Sequence, residues 1–267
     1  MDGSKIAGIL IVLALILSIA FVGYNTVTKV AEKNEKIVKT IEVLDESELN
    51  QSNTGENSSI QTVNLNIHQK VGSTRIVFSD NSSTIYNITS KNEVNKTKTT
   101  VTKQQNGSNL DVNIDSEDAQ NTIILSNKYN YNITGDLVSG GFSTKLSENA
   151  KVDQLNLNIT AGGVDITFNG GKLNTFNSRI TTGGLNIYGE PKGETTVNSE
   201  IEVGGLNLQV NKTIADIFSE IEVGGINPGK YQKIGPNEYK GNQFDSSENK
   251  LIINTKIRVG GVNTQSF

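Results

Sequence analysis

The chain has 267 residues, a formal net charge of −4, no cysteine, no tryptophan and a single histidine, His68. The lack of cysteine excludes a disulfide framework, a thiolate nucleophile and a cysteine-ligated zinc site, and one histidine cannot supply a metal site built on a histidine pair. Nucleic-acid-binding proteins usually carry a basic surface, so the acidic balance predicts no nucleic-acid partner.

An apolar segment without charged residues occupies positions 6–22. Backbone amides in hydrocarbon must pair within the segment, so such a run is helical, and at about 1.5 Å per residue it spans a bilayer core. We predict an uncleaved, single-span membrane anchor over residues 1–23. The alternative is a cleaved signal peptide, because Ser18 and Ala20 are small residues at the spacing of a cleavage site. Both alternatives predict membrane targeting.

The segment after the anchor, residues 24–59, is predicted to form a helical stalk and a polar linker. Val30, Ile37, Ile41 and Leu44 follow a helical spacing, and residues 51–59 have the composition of a loop. Most flanking positive charge lies here, at Lys29, Lys33, Lys36 and Lys39. The positive-inside rule would therefore place the downstream domain in the cytoplasm, whereas a long domain is translocated largely regardless of such charges. Both orientations stand.

A pair of glycines recurs six times in the second half of the chain. The pairs are Gly140 and Gly141, Gly162 and Gly163, Gly183 and Gly184, Gly204 and Gly205, Gly224 and Gly225, and Gly260 and Gly261. Their first members are separated by steps of 22, 21, 21, 20 and 36 residues. A fixed period near 21 residues is typical of repeat units that stack along an axis.

Apolar residues occupy every second position on both sides of each glycine pair, as in Leu155-Asn-Leu-Asn-Ile159 and Val164-Asp-Ile-Thr-Phe168. This period predicts strands with an apolar inner face, and glycine can turn the corner between two of them. We predict an all-β fold in which residues 60–267 form a single-domain β-solenoid, similar to a parallel β-helix with about 21 residues per coil. Residues 60–136 are expected to be degenerate coils or a cap, residues 137–267 the glycine repeats, and residues 229–250 an insertion before the last coil.

The position two residues after each glycine pair is polar in every copy. In a stack these side chains align, so we predict a hydrogen-bonded ladder formed by Asp165, Asn186, Asn207, Asn227 and Asn263, with Ser143 in the first copy. A calcium site is the alternative interpretation. The calcium-binding nonapeptide repeat, however, requires a third glycine and a spaced aspartate, and no copy has them.

Charged residues also fall into columns when the repeats are aligned. One column contains Arg179, Glu200, Glu220 and Lys256, and a second contains Thr181, Glu202, Glu222 and Arg258. If the coils stack in the order of the chain, the glutamates of neighbouring coils would lie about 4.8 Å apart and repel each other. A basic residue on the outer side of each pair would reduce this repulsion. Four such carboxylates could ligate a divalent cation. An exposed charged face is the simpler interpretation, and we predict no metal site and no cofactor.

We predict no catalytic residues, because the sequence has neither a Ser/His/Asp set beyond His68 nor a phosphate-binding glycine loop followed by lysine. The aromatic candidates for carbohydrate contact are Tyr129, Tyr131 and Tyr188. Asn-x-Ser/Thr sequons make the chain a glycoprotein candidate if the domain faces outward; they begin at Asn57, Asn81, Asn87, Asn95, Asn106, Asn132, Asn158 and Asn211.

The motif Ile-x-x-Gly-Gly-(Val/Leu/Ile)-Asn, repeated behind an amino-terminal anchor, resembles the putative-adhesin family of β-solenoid domains, which is related to the toast-rack domains of cell-envelope stress proteins. The resemblance covers residues 135–267 and, more weakly, the chain from Ile60 onward. It implies a membrane-anchored, non-enzymatic solenoid of the cell envelope, with an extracellular domain used for adhesion or envelope interaction.

Two kinds of partner follow from this interpretation. One is a cell-surface glycan or protein ligand. The other is a second copy of the chain, because an unpaired strand in the terminal coil could dock another solenoid. The alternative function is accordingly a cytoplasm-facing, membrane-associated scaffold that self-assembles, analogous to bactofilins.

Overall fold

The computed structural model describes residues 37–49, 59–80, 83–93, 98–210 and 213–266. Within these ranges thirteen strands join in one sheet, which confirms the all-β prediction. A single short helix in these ranges, α1 (Glu46–Leu49), follows the first strand. The strands are β1 (Ile37–Asp45), β2 (Thr62–Ser79), β3 (Thr84–Glu93), β4 (Thr100–Asn106), β5 (Asn109–Ser126), β6 (Asn130–Leu146), β7 (Lys151–Asn169), β8 (Lys172–Glu190), β9 (Glu194–Val210), β10 (Ala215–Asn227), β11 (Gln232–Lys233), β12 (Glu238–Lys240) and β13 (Lys250–Ser266).

The long strands β6 to β9 pair in parallel and in register, one repeat against the next. Ile159 of β7 pairs with Ile180 of β8, which pairs with Ile201 of β9. Alternate side chains along each strand are buried, and together they form one continuous apolar core. Each fully buried aliphatic side chain contributes about 1.5–3 kcal/mol, so the stacking of repeats supplies the stability that one repeat lacks.

The order of strands in the sheet departs from their order in the chain at both ends. At one end the order is β5-β2-β6, and at the other it is β9-β13-β10. The last strand, β13, therefore lies inside the sheet, whereas the sequence order predicts it at the end of the stack. The 36-residue step before the last glycine pair is long enough for the chain to leave β10, form the β11–β12 hairpin and return between β9 and β10.

The two ends of the sheet are covered unequally. Beyond β5, β4 pairs antiparallel with residues 109–115, β3 pairs antiparallel with residues 120–125, and β1 pairs with β3. Beyond β10, β12 pairs only with residues 216–218. Strand β4 thus contributes to the cap at the first end, and β12, within the predicted insertion 229–250, contributes the smaller cap at the second.

The predicted helical stalk is wrong over residues 37–44, which belong to β1. The spacing of apolar residues here favours a helix, whereas β-branched residues such as Ile41 and Val43 favour a strand. Antiparallel pairing with β3 stabilises the strand. The predicted anchor, residues 24–36 of the stalk and residues 50–58 of the linker lie outside the described residues. Among the residues that the structure describes, no helix is long and apolar enough to cross a bilayer.

Candidate ligand-binding groove

The first glycine of each pair forms the corner of its repeat. These six residues have φ between 135° (Gly140) and 152° (Gly162), a conformation that residues with a Cβ rarely adopt. Positive φ is not found at the second glycines, so backbone conformation demands glycine only at the first position of the pair. Close approach adds a demand at two second glycines, because a Cβ on Gly205 would lie 2.6 Å from the Gly261 carbonyl oxygen and one on Gly261 would lie 2.5 Å from that of Gly225. The register places the corners in one column, in the order Gly72, Gly140, Gly162, Gly183, Gly204, Gly260 and Gly224.

The residues of the predicted ladder lie in one column directly after this corner. Their order is Asp165, Asn186, Asn207, Asn263 and Asn227, and Ser143 is next to Asp165. Asn186 Nδ2 donates to Asp165 Oδ1 at 2.7 Å. Asn263 Nδ2 donates to Asn207 Oδ1 at 3.0 Å, and Asn227 Nδ2 donates to Asn263 Oδ1 at 2.9 Å. Asn263 precedes Asn227 in the column because β13 lies between β9 and β10 in the sheet.

A second asparagine ladder, absent from the sequence prediction, lies before the corner. Asn177 Nδ2 donates to Asn156 Oδ1 at 2.8 Å, Asn198 Nδ2 to Asn177 Oδ1 at 2.9 Å, and Asn254 Nδ2 to Asn198 Oδ1 at 3.0 Å. The next position in this column is Phe218, which pairs with Asn254 and is 42% exposed. Each of these residues is six positions before the first glycine of its repeat, so one more aligned column would have revealed the ladder.

A column of charged residues runs beside this second ladder, two positions nearer the corner. Its order is Asn158, Arg179, Glu200, Lys256 and Glu220. Arg179 donates to Glu200 Oε2 from Nε at 3.1 Å and from Nη2 at 2.8 Å, and this carboxylate raises the pKa of the Arg179 guanidinium. The expected contact between neighbouring glutamates is wrong, because Lys256 of β13 lies between Glu200 and Glu220.

The second predicted charge column is interrupted in the same way. Ile257 and Val259 of β13 pair with β9 on one side and with β10 on the other, so Arg258 lies between Glu202 and Glu222. The four glutamates considered for a cation therefore do not converge. In the described ranges no group of three or more His, Asp or Glu side chains is arranged to hold a metal ion.

The second ladder and the charge column line an outward-facing groove of 470 Å³ that ends near Phe218. A neutral asparagine side chain offers two N–H donors and a carbonyl with two lone pairs. Within the ladder, Asn177 and Asn198 each use one donor and one acceptor, which leaves one of each for a ligand. Neighbouring strands are about 4.8 Å apart, so the groove presents a repeating polar array beside an exposed aromatic ring.

Two of the three tyrosines considered for carbohydrate contact are buried. Tyr131 Oη donates to the Ser126 carbonyl at 2.7 Å, and Tyr129 Oη donates to the Glu46 carboxylate. Burial raises the pKa of both phenols, and neither ring faces a ligand. Tyr188 is half-buried and lines a smaller cavity of 330 Å³ on the other side of the corner.

His68 and three sequon asparagines are engaged by neighbouring side chains. His68 Nδ1 lies 3.4 Å from Asp136 Oδ2 in an exposed pair. The side-chain amides of Asn106, Asn132 and Asn158 donate to Asp111, Asn64 and Asp136, respectively. A glycan on any of these nitrogens would have to replace part of an existing hydrogen-bond network.

Substitution of Lys256→Glu tests the alternating charge column. It would place three carboxylates in a row, exchanging two attractive cross-strand pairs for two repulsive ones. We expect the free energy of unfolding to fall by roughly 1–2 kcal/mol at low salt, and the loss to shrink in 1 M salt, where the Debye length is about 3 Å. Urea denaturation at two salt concentrations measures this. Lys192→Glu, the same charge change at an exposed turn, should have little effect; equal losses for both variants would contradict the column.

The fold and the groove together define an all-β, repeat-like protein with an outward-facing polar groove. No family model matches the chain, and no curated protein matches its sequence. Among solved structures, a putative cell adhesion protein from Clostridium sporogenes matches it with a TM-score of 0.59 and 21% sequence identity. The match covers 87% of this chain and 100% of that one. At this identity the likeness shows a shared fold.

Proposed function

We propose that this chain is a non-enzymatic adhesion module of the cell envelope and that its strands close into a β-solenoid. Closure is supported by the connection between β7 and β8. Extended at about 3.3 Å per residue, a strand as long as β7 would measure roughly 60 Å. Yet both ends of β7 pair in register with β8 while only residues 170–171 join the two strands. A link that short requires the strand to turn back on itself.

The groove carries the functional proposal. It combines a hydrogen-bonding array that repeats at the strand spacing with an exposed Phe218 ring at its end. A polysaccharide has matching chemistry, because its hydroxyl groups recur regularly and its sugar rings have apolar faces. The charges in the groove alternate, and Arg179 forms an ion pair with Glu200. Such an arrangement fits a surface that binds a ligand without catalysing a reaction.

Placement outside the cell is the second part of this proposal. It is supported by the apolar segment 6–22, which has the composition of a membrane anchor, and by the shared fold with the putative cell adhesion protein. Protease added to intact cells should cleave the domain. If it is cut only after the cells are lysed, the extracellular placement is wrong.

Groove variants test ligand binding directly. Full-length protein in detergent would be titrated calorimetrically with oligosaccharides released from cell-envelope polysaccharides. Phe218→Ala and Asn177→Ala are each expected to weaken binding by about tenfold, equivalent to about 1.4 kcal/mol, because they remove the aromatic face and one rung of the array.

Two matched controls accompany these variants. Val223→Ala removes an exposed apolar side chain from the same strand as Phe218, and Asn186→Ala breaks the other ladder; neither residue lines the groove. Both controls should bind as the unaltered protein does. Absence of binding to any oligosaccharide, or equal binding by all four variants, would overturn the glycan-binding proposal.

A further inference from the structure

The outer edge of β10 is open over residues 220–227. β12 pairs with residues 216–218, and the backbone N–H of Ser219 donates to the Asn237 carbonyl at 2.9 Å. Beyond that point, no described strand pairs with β10 on the side away from β13. An open edge exposes backbone N–H and C=O groups that can pair with an added strand.

Side chains at this edge are less buried than their equivalents inside the stack. Ile221 and Ile226 are partly buried, whereas Ile201 and Leu206 at the same positions of β9 are each 2% exposed. Val223 is 61% exposed. Another strand paired with β10 would cover all three edge residues, just as β13 covers the equivalent residues of β9.

The charges at the edge indicate which side chains the added strand should carry. Glu220 and Glu222 occupy the columns that hold Glu200 and Glu202 on β9. There the next strand, β13, places two basic residues in the same columns, Lys256 and Arg258. The equivalent partner for β10 therefore has two basic residues two positions apart, with an apolar residue between them that packs over Ile221.

The corner adds a further requirement. A Cβ on Gly260 would lie 1.5 Å from the Gly204 carbonyl oxygen, and a Cβ on Gly224 would lie 1.6 Å from that of Gly260. Each strand added on this side meets the preceding corner carbonyl in the same way. A strand that crosses the corner of β10 must consequently have glycine opposite Gly224.

We propose that the open edge of β10 binds an extended segment of another polypeptide by parallel strand addition, and that this segment has the pattern basic–apolar–basic–x–Gly. Backbone hydrogen bonds supply the affinity in this mode of recognition, and the side-chain columns supply the specificity. The chain's own β13 has the pattern at Lys256-Ile-Arg-Val-Gly260, where it is satisfied against β9. The edge and the groove share Glu220, but the substitutions that test the edge are made at Glu222 and Glu202, which do not line the groove.

The probe is a fluorescein-labelled peptide with the sequence of residues 256–263, which matches the open stretch 220–227 in register; it is titrated into full-length protein and followed by anisotropy. We expect saturable binding at one site, weakened about tenfold by Glu222→Lys in the protein. A peptide carrying Arg258→Glu should recover binding to the Glu222→Lys protein. Gly260→Val in the peptide should abolish binding, because the corner leaves no room for a side chain.

Glu202→Lys is the matched control. Glu202 is in the same column as Glu222, but its strand, β9, has β8 and β13 on its two sides. Peptide binding should be unchanged by this substitution, and also by Phe218→Ala in the groove. If Glu202→Lys weakens binding as Glu222→Lys does, the peptide has exchanged with the chain's own β13 or binds by charge alone, and the proposal is wrong.

Two further results would overturn the proposal. One is the absence of peptide binding. The other is a protein dimer, detected by sedimentation, that the peptide does not dissociate, because the edge would then be occupied by a second copy of the chain. Neither result bears on oligosaccharide binding in the groove, so the two proposals fail independently.

Discussion

Removal of residues 250–267 is expected to abolish cooperative folding of the whole protein rather than to shorten it by one repeat. These residues contain β13, which pairs with β9 on one side and β10 on the other. The truncation also removes four apolar side chains that are at most 3% exposed, Leu251, Ile253, Ile257 and Val262. At about 1.5–3 kcal/mol each their loss costs about 6–12 kcal/mol, which is comparable to the total stability of a typical domain, about 5–15 kcal/mol.

Hydrogen exchange followed by mass spectrometry measures the effect of this truncation. We expect the amides of β10 to lose protection together with those of β9, because the strand that joins them is missing. Removing only residues 265–267 leaves the corner and all four core residues in place and should preserve protection. If β10 stays protected after the longer truncation, β13 does not lie between the two strands.

Substitution of Gly162→Ala is expected to destabilise the protein by about 3 kcal/mol or more. The substituted residue would have to keep φ near 152°, which costs about 1–3 kcal/mol for a residue with a Cβ. Its Cβ would also lie 1.5 Å from the Gly140 carbonyl oxygen, so the neighbouring strand must shift, at a further cost of about 1–3 kcal/mol. Urea denaturation gives the difference in the free energy of unfolding.

The neighbouring glycine provides the control. Gly163 does not have a positive φ, and a Cβ there would lie 3.7 Å from the nearest atom, the Gly184 carbonyl oxygen. We therefore expect Gly163→Ala to change stability by less than about 1 kcal/mol. Equal destabilisation by the two substitutions would mean that the corner is made by the glycine pair as a unit and not by its first member.

The parts of the fold that depend on the repeat could be predicted from the sequence. Alternation of apolar residues fixes which side chains face inward, and the spacing of the glycines fixes the register, so Gly162, Gly183 and Gly204 align in the structure. The position of β13 could not be predicted. The pattern of Lys256, Arg258 and Gly260 fits equally well against β9 or at the end of the stack. The 36-residue step before the last glycine pair also departs from the repeat period, so the period does not predict the path of the chain there.

The site can be predicted only in part, for a related reason. The sequence marks Asn186 and Asn207 because they follow a glycine pair, whereas Asn177 and Asn198 precede the first glycine by six residues and belong to runs rich in asparagine. Phe218 replaces asparagine in that column, so no pattern in the sequence marks it as part of the site. Its place beside Asn254 depends entirely on the insertion of β13.

Disulfide cross-linking tests this arrangement most directly, because the chain has no cysteine of its own. Adjacent strands are about 4.8 Å apart, within the Cα separation of about 4.4–6.8 Å that a disulfide accepts. The double variant Asn198→Cys with Asn254→Cys should cross-link readily on oxidation, although its cysteines are 56 positions apart in the chain. Asn198→Cys with Phe218→Cys should remain uncross-linked, because Asn254 lies between them. Efficient cross-linking of the second pair, with none in the first, would contradict the groove and the strand order on which it depends.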